Sequence, residues 1–190
     1  MRWWIKTRRV ATLVAAGAAL STLLGALVGG RQLVLPSLFS GAQAAVLVVF
    51  LPIPLVACLA LSLESRLTAF EASSVRPVPG LDAALVLTTL ASCLVVSLAF
   101  QSSTAVCVVR NAAFLTGLML LTRPLARQAA VMVPVVWIAL VVFLSRRPWP
   151  DPDPWTVLPE PASAPHAVLA AAAALTAGLL IHLRARQEQP

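Results

Sequence analysis

From Val10 to Leu183 the chain passes through one apolar stretch after another, each about twenty residues long and nearly free of charge. No other feature limits the fold so strongly. A helix rises about 1.5 Å per residue, so ~20 residues match the ~30 Å hydrocarbon core of a bilayer. The composition fits the pattern, with 59% apolar residues, 11% charged residues and a mean hydropathy of +0.90. A soluble domain carries roughly 45–50% and about 25%. The 190 residues have room for about six spans joined by short loops, and none for an extramembrane enzyme domain as well. The fold class expected is an all-α, polytopic membrane helix bundle, one transmembrane domain over residues 1–190.

Spans are expected at 10–29, 42–63, 81–100, 104–122, 124–145 and 165–183. The first follows the basic, aromatic start MRWWIKTRR. A signal peptide begins in a similar way, but this run is long, lacks an A-x-A ending and is followed by further spans. Trp3 and Trp4 are better placed as interfacial anchors. Pro52 and Pro54 should kink or break the second span, because each removes a helix hydrogen bond and crowds the preceding turn. The QSST sequence predicts a tight turn between the third and fourth spans, and Pro134 lies in the fifth.

Charge placement sets the expected orientation. A net charge of +7 and a pI near 11.3 would suggest nucleic acid in a soluble protein. Here the basic residues sort by loop. With the N-terminus inside, cytoplasmic segments hold Arg2, Lys6, Arg8, Arg9, Arg66, Arg76, Arg123, Arg127, Arg184 and Arg186. Exterior segments hold Arg31, Arg146 and Arg147, and Arg110 lies within a span. That is ten inside, three outside and one within, accounting for all 14. The positive-inside rule then places both termini in the cytoplasm, and no nucleic-acid partner is expected. Lys6 is the only lysine, Asn111 the only asparagine, and tyrosine is absent, a usage typical of a GC-rich bacterial genome. The expected location is thus the bacterial cytoplasmic membrane.

Two loops and one helix position hold the polar chemistry. After the second span comes ESRLTAFEASSVRPVPG, in which Leu63, Leu67, Phe70 and Ser74 recur at helical spacing while Glu64, Arg66, Thr68 and Glu71 face elsewhere. The pattern predicts a short amphipathic helix over 64–76, stopped by Pro77 and Pro79. It suits a helix lying flat on the membrane, one docking on a cytosolic partner, or a solvated connector. The exterior loop over 146–164, RRPWPDPDPWTVLPEPASAPH with Pro165, holds seven of the fifteen prolines. Extended geometry is favoured there, as a lid, as a segment folded back into the outer leaflet, or as a stiff spacer. Arg110 and Asn111 lie inside the fourth span, where an arginine costs ~2.5–3.5 kcal/mol on insertion scales. A structural role would pair Arg110 with Asp151 or Asp153, or cap a carbonyl. A functional role would turn it toward the bundle interior and an anionic headgroup or substrate.

Small residues mark the expected packing faces. Gly17, Ser21, Gly25 and Gly29 form one stripe on the first span, and Ala170, Ala174 and Gly178 another on the sixth. Such stripes let helix backbones approach closely in lipid. Catalytic patterns are missing. His166 and His182 stand at opposite ends of one span, too far apart for a metal site, and no carboxylate falls in the core of a span. Cys58, Cys93 and Cys107 form no CxxC pair and are read as small apolar fillers. The sequence lacks Gly-x-Ser-x-Gly, His-Glu-x-x-His and a Walker A loop, so no enzyme activity, metal or cofactor is expected in this chain.

The layout resembles a type 2 ABC exporter transmembrane subunit: six spans, both ends inside, a basic amphipathic start, a helical cytoplasmic loop after the second span and an ornamented exterior loop before the sixth. The run VVRNAAFLTGLMLL, with EASSVRPVPGLDAAL before it, is similar to small permease-like proteins of GC-rich bacteria, and the likeness in layout runs from about Arg8 to Arg184. The resemblance implies a coupling helix over Glu64–Val75 that docks on a separate ATP-binding subunit, with Glu64, Arg66, Leu67, Phe70 and Glu71 as its contacts. It also implies a homodimer or a pair with a similar permease, and a substrate pathway walled by Pro52, Pro54, Arg110 and Asn111. Two other classes share the sequence features: a non-transporting immunity, assembly or scaffold protein, and a secondary transporter.

Overall fold

A computed structural model describes residues 10–28, 31–37, 41–64, 78–147 and 153–184. Trp3, Trp4, Gly29, Arg66, Leu67, Phe70, Glu71, Trp149 and Asp151 lie outside the described residues, and with them most of the expected coupling helix. Six α-helices dominate: α1 (Ala15–Val28), α2 (Ile53–Glu64), α3 (Val78–Ala99), α4 (Ser103–Ala126), α5 (Val133–Leu144) and α6 (Pro165–Arg184). A π-helical turn, Val10–Val14, leads into α1. Stretches Leu47–Glu64, Gly80–Ala99, Ser103–Ala126 and Pro165–Arg184 are long and apolar enough to cross a membrane, while Thr12–Gly25 and Gln128–Leu144 are shorter apolar helices. The chain is therefore a multi-pass helical membrane protein.

The second span departs from expectation. Residues 42–46 are not helical: β2 (Gly41–Val46) pairs antiparallel with β1 (Gln32–Ser37), from Gln32 opposite Val46 to Ser37 opposite Gly41. Pro36 is tolerated because a two-stranded ribbon leaves one edge of each strand without a ladder partner. A 3₁₀ turn, Leu47–Val49, and a bend through Pro52 then precede α2. The apolar crossing thus starts at Leu47, not Ala42, and the break expected from the prolines falls ahead of Ile53.

The fourth and fifth spans also divide later than expected. Helix α4 continues through Pro124 to Ala126, and a 3₁₀ segment, Arg127–Met132, makes the turn. Pro134 lies in the first turn of α5, where its fixed φ suits helix entry.

The turn between α3 and α4 follows from local chemistry. Ser102 N–H donates to the Ser97 carbonyl and Gln101 N–H to that of Leu98, closing α3 with a Schellman motif. Gln101 takes φ 50° in the position glycine usually fills. Ser102 then caps α4, its hydroxyl accepting the Ala105 N–H at 3.2 Å.

Helix α4 is the hub, in contact with every other described α-helix. Its tightest partner is α6, and the two run parallel: Arg110 lies against 157–161, and Gly117 and Leu120 against 174–178. A Cβ on Gly117 would stand 2.6 Å from the Ala174 oxygen, and one on Gly178 would stand 2.6 Å from the Gly117 oxygen. The backbones therefore touch, as lipid-embedded helices do where small residues meet. Ala174 and Gly178 belong to the stripe expected on this helix, and Ala170 is half-buried beside it. On the other side of the bundle, Gly17 of α1 meets Cys58 and the Pro54 carbonyl of α2, and Gly25 faces Leu51. Ser21 is buried.

Candidate functional site

On α4, Cys107, Arg110 and Asn111 fall on one face because residues three and four apart stack along a helix. Arg110 lies about 10 Å along the axis from Ser103 at 1.5 Å per residue. It is 7% exposed and Asn111 is fully buried. A buried guanidinium needs acceptors for its fork of N–H groups, and the loop ahead of α6 provides them.

That loop is shaped from its own residues. The Asp153 carboxylate accepts the Arg146 N–H at 2.8 Å and the Arg147 N–H at 3.3 Å, and it pairs with Arg147 Nε at 3.7 Å. It thereby closes the end of α5. Thr156 folds back on the Asp153 carbonyl through its N–H and its hydroxyl, at 2.9 and 2.6 Å. Val157 follows with φ 52° and ψ −48°, and Leu158 N–H donates to the Thr156 carbonyl across it. This is the rare γ-turn of positive φ, a strained shape for a β-branched residue. Thr156, Val157 and Leu158 are buried, so the loop is packed into the bundle.

The turn aims a group of carbonyls at Arg110. Nη1 donates to Pro161 at 2.7 Å, and Nη2 to Glu160 at 2.8 Å, Val157 at 3.1 Å and Leu158 at 3.4 Å. Nε and Nη2 also donate to Asn111 Oδ1, at 3.2 and 3.0 Å. Asn111 Nδ2 completes the network on the Leu158 carbonyl at 2.8 Å. At the rim, the Glu160 carboxylate lies 3.4 Å from His166 Nε2, and Cys107 Sγ points at the Glu160 carbonyl at 3.9 Å.

Among the described residues, the hydrogen bonds of Arg110 reach only Asn111 and this loop. Asp153, one of the carboxylates expected to pair with it, serves the end of α5 instead. Of the arrangements the sequence allowed, the geometry matches carbonyl capping with the loop folded back on the bundle. Chemically the cluster is a latch that binds one guanidinium and one amide to the backbone of a single loop.

The other sequence-derived residues lie elsewhere. Pro52 and Pro54 belong to the entry of α2, the latter against Gly17. Glu64 is exposed at the end of α2, next to Leu63, whose carbonyl accepts Arg123 Nη2 at 3.2 Å. A cavity of about 10 Å³, lined by Ala60, Glu64, Met119, Arg123, Ala130 and Val131, opens beside this bond. It has room for about one water molecule.

Sequence reasoning missed two residues, Gly117 and Asp82. Gly117 was hidden because a lone glycine in an apolar run carries no spacing signal. Asp82 lies near the start of α3 and is 1% exposed, facing His182 of α6 with Oδ2–Nε2 at 4.0 Å. A carboxylate so near a span end reads as a boundary residue, and only the packing of α3 on α6 reveals its burial. Comparison of the chain with protein-family models, with curated proteins and with solved structures finds no match.

Proposed function

We propose that the chain is the membrane subunit of a two-component bacterial transporter of the ABC exporter type. ATP is bound and hydrolysed by a separate subunit, and this chain works as a homodimer or beside a similar permease in the cytoplasmic membrane. One observation carries the reading beyond the resemblance. The end of α2, where the Glu64–Val75 segment departs, is tied to hub helix α4 by Arg123 on the Leu63 carbonyl. A push on that segment by a partner would reach α4 directly, and α6 through it. The chain supplies the pathway and its movement, with no catalytic step of its own.

Recovery of the tagged full chain in mild detergent, at native expression, is the test. It should bring down an ATP-binding subunit, and the double charge reversal Glu64→Lys, Glu71→Lys should lose it. Repeated recovery with no nucleotide-binding partner overturns the proposal.

A second reading is a non-transporting assembly, immunity or scaffold protein. The buried Arg110 latch and the close α4–α6 seam favour it, since both tie the bundle together. On that reading the same charge reversal leaves substrate efflux unchanged.

A further inference from the structure

Residues 154–162 form a strap with two fixed ends. Asp153 ties one end to the backbone that follows α5. At the other, the Ala164 N–H donates to the Pro161 carbonyl at 3.1 Å, and α6 begins at Pro165. Among the described residues, the polar contacts of the strap beyond its own turns have few destinations. They go to Arg110, Asn111 and Cys107 on α4, and from the Glu160 carboxylate to His166.

The middle of the strap is strained. Val157 sits at φ 52° and ψ −48°, where a β-branched residue stays only if its surroundings force it to. Two things force it. The α4 side chains take the carbonyls of Val157 and Leu158, and the side chains of Thr156, Val157 and Leu158 are buried in the bundle. Return of Val157 to negative φ would turn those carbonyls out to water, which can solvate them. It would also uncover the face of α4 that holds Cys107, Arg110 and Asn111. The strain works for release, while the latch and the buried Leu158 work against it.

We infer that the strap is a gate over the polar face of α4. It is closed in the main population and lifts as a unit between its fixed ends in a minor one, a local opening that leaves the helices in place. Lifting admits the aqueous phase at this end of the bundle to Cys107, Arg110 and Asn111. The gate rests on the geometry of the strap alone and is independent of the transporter reading and of any ATPase partner.

Cys107 is a native reporter of the gate, buried with Sγ 3.9 Å from the Glu160 carbonyl, and Cys93, buried on α3, is the control. The full chain in micelles is treated with a small charged methanethiosulfonate, and peptide mass spectrometry follows each cysteine. Cys107 should react faster than Cys93 while the chain stays folded. Asn111→Ala removes the amide from Leu158 and Arg110. It should raise the Cys107 rate about tenfold, as for a buried polar group losing its partner, and leave Cys93 unchanged. The strain is read from two truncations at Val157 that remove nearly the same packing. Glycine accepts a positive φ and alanine does not, so Cys107 should react about fivefold more slowly in Val157→Gly than in Val157→Ala. At an ordinary φ the order reverses, because glycine loosens the chain. Equal rates at Cys107 and Cys93, no rise in Asn111→Ala, or Val157→Gly no slower than Val157→Ala overturns the proposal. Where Asn111→Ala fails to fold, the pair at Val157 decides.

Discussion

Arg110 shows how a costly residue becomes a fastener. Its guanidinium makes six donor–acceptor contacts within 3.4 Å, some sharing an N–H, and four of them are to backbone carbonyls of a single loop. A lysine keeps the charge but not the planar fork. Arg110→Lys should therefore leave buried carbonyls without donors and lose about 2 kcal/mol or more of stability, at ~1–3 kcal/mol for an orphaned buried polar group. Denaturation in detergent measures this, and a fully stable Arg110→Lys protein would refute it. Gln101 gives the opposite case. It is exposed, sits at φ 50° and closes α3, so Gln101→Gly should stabilise the chain by about 0.5–1 kcal/mol in the same assay. The sequence announced Arg110 by its cost. It could not name the partners, because backbone carbonyls have no sequence signature and their aim depends on the γ-turn at Val157.

Between elements, the α4–α6 seam dominates. Gly117→Ala and Gly178→Ala would each drive a methyl group into backbone, which cannot rotate aside. Each should cost about 2 kcal/mol or more, in the range for overpacking a tight contact. Gly80→Ala on α3 meets nothing within 4 Å and should be neutral or up to ~1 kcal/mol stabilising through helix propensity. Equal responses from the three variants, in thermal unfolding, would remove the seam from its central place. Hydropathy located α3, α4 and α6 to within a few residues, since those stretches are long and bounded by turn residues. It failed over Ala42–Val46, where a short apolar run fits strand or helix alike. The pairing with Gln32–Ser37 decided the matter.

For the whole molecule, the packing fixes which termini of helices share an end. The α3–α4 turn and the loop ahead of α6 lie together at the Arg110 end, while Glu64 and His182 lie toward the other. Cysteines introduced at Gln101 and Ser163, both exposed, should react with an impermeant maleimide from one side of the membrane, and one at Glu64 from the other. Native Cys93 and Cys107 are buried and should label slowly. Labelling of Gln101 and Glu64 positions from the same side would contradict the arrangement. The placement of arginines in the loops gives an expected orientation, which this labelling tests. The Asp82–His182 meeting was not legible, for it joins positions 100 residues apart in the chain (182 − 82) through helix packing alone.

The Arg110 latch also imposes an order on synthesis. The carbonyl partners of the guanidinium lie 47 to 51 residues further along the chain. At roughly 5–20 residues per second of translation, the fourth span emerges roughly 2–10 s before the loop that meets its hydrogen-bonding demand. During that interval the arginine must stay near water or within the insertion machinery, and α4 settles only when the last helix arrives. The hub of the bundle is thus among the last parts to reach its final place.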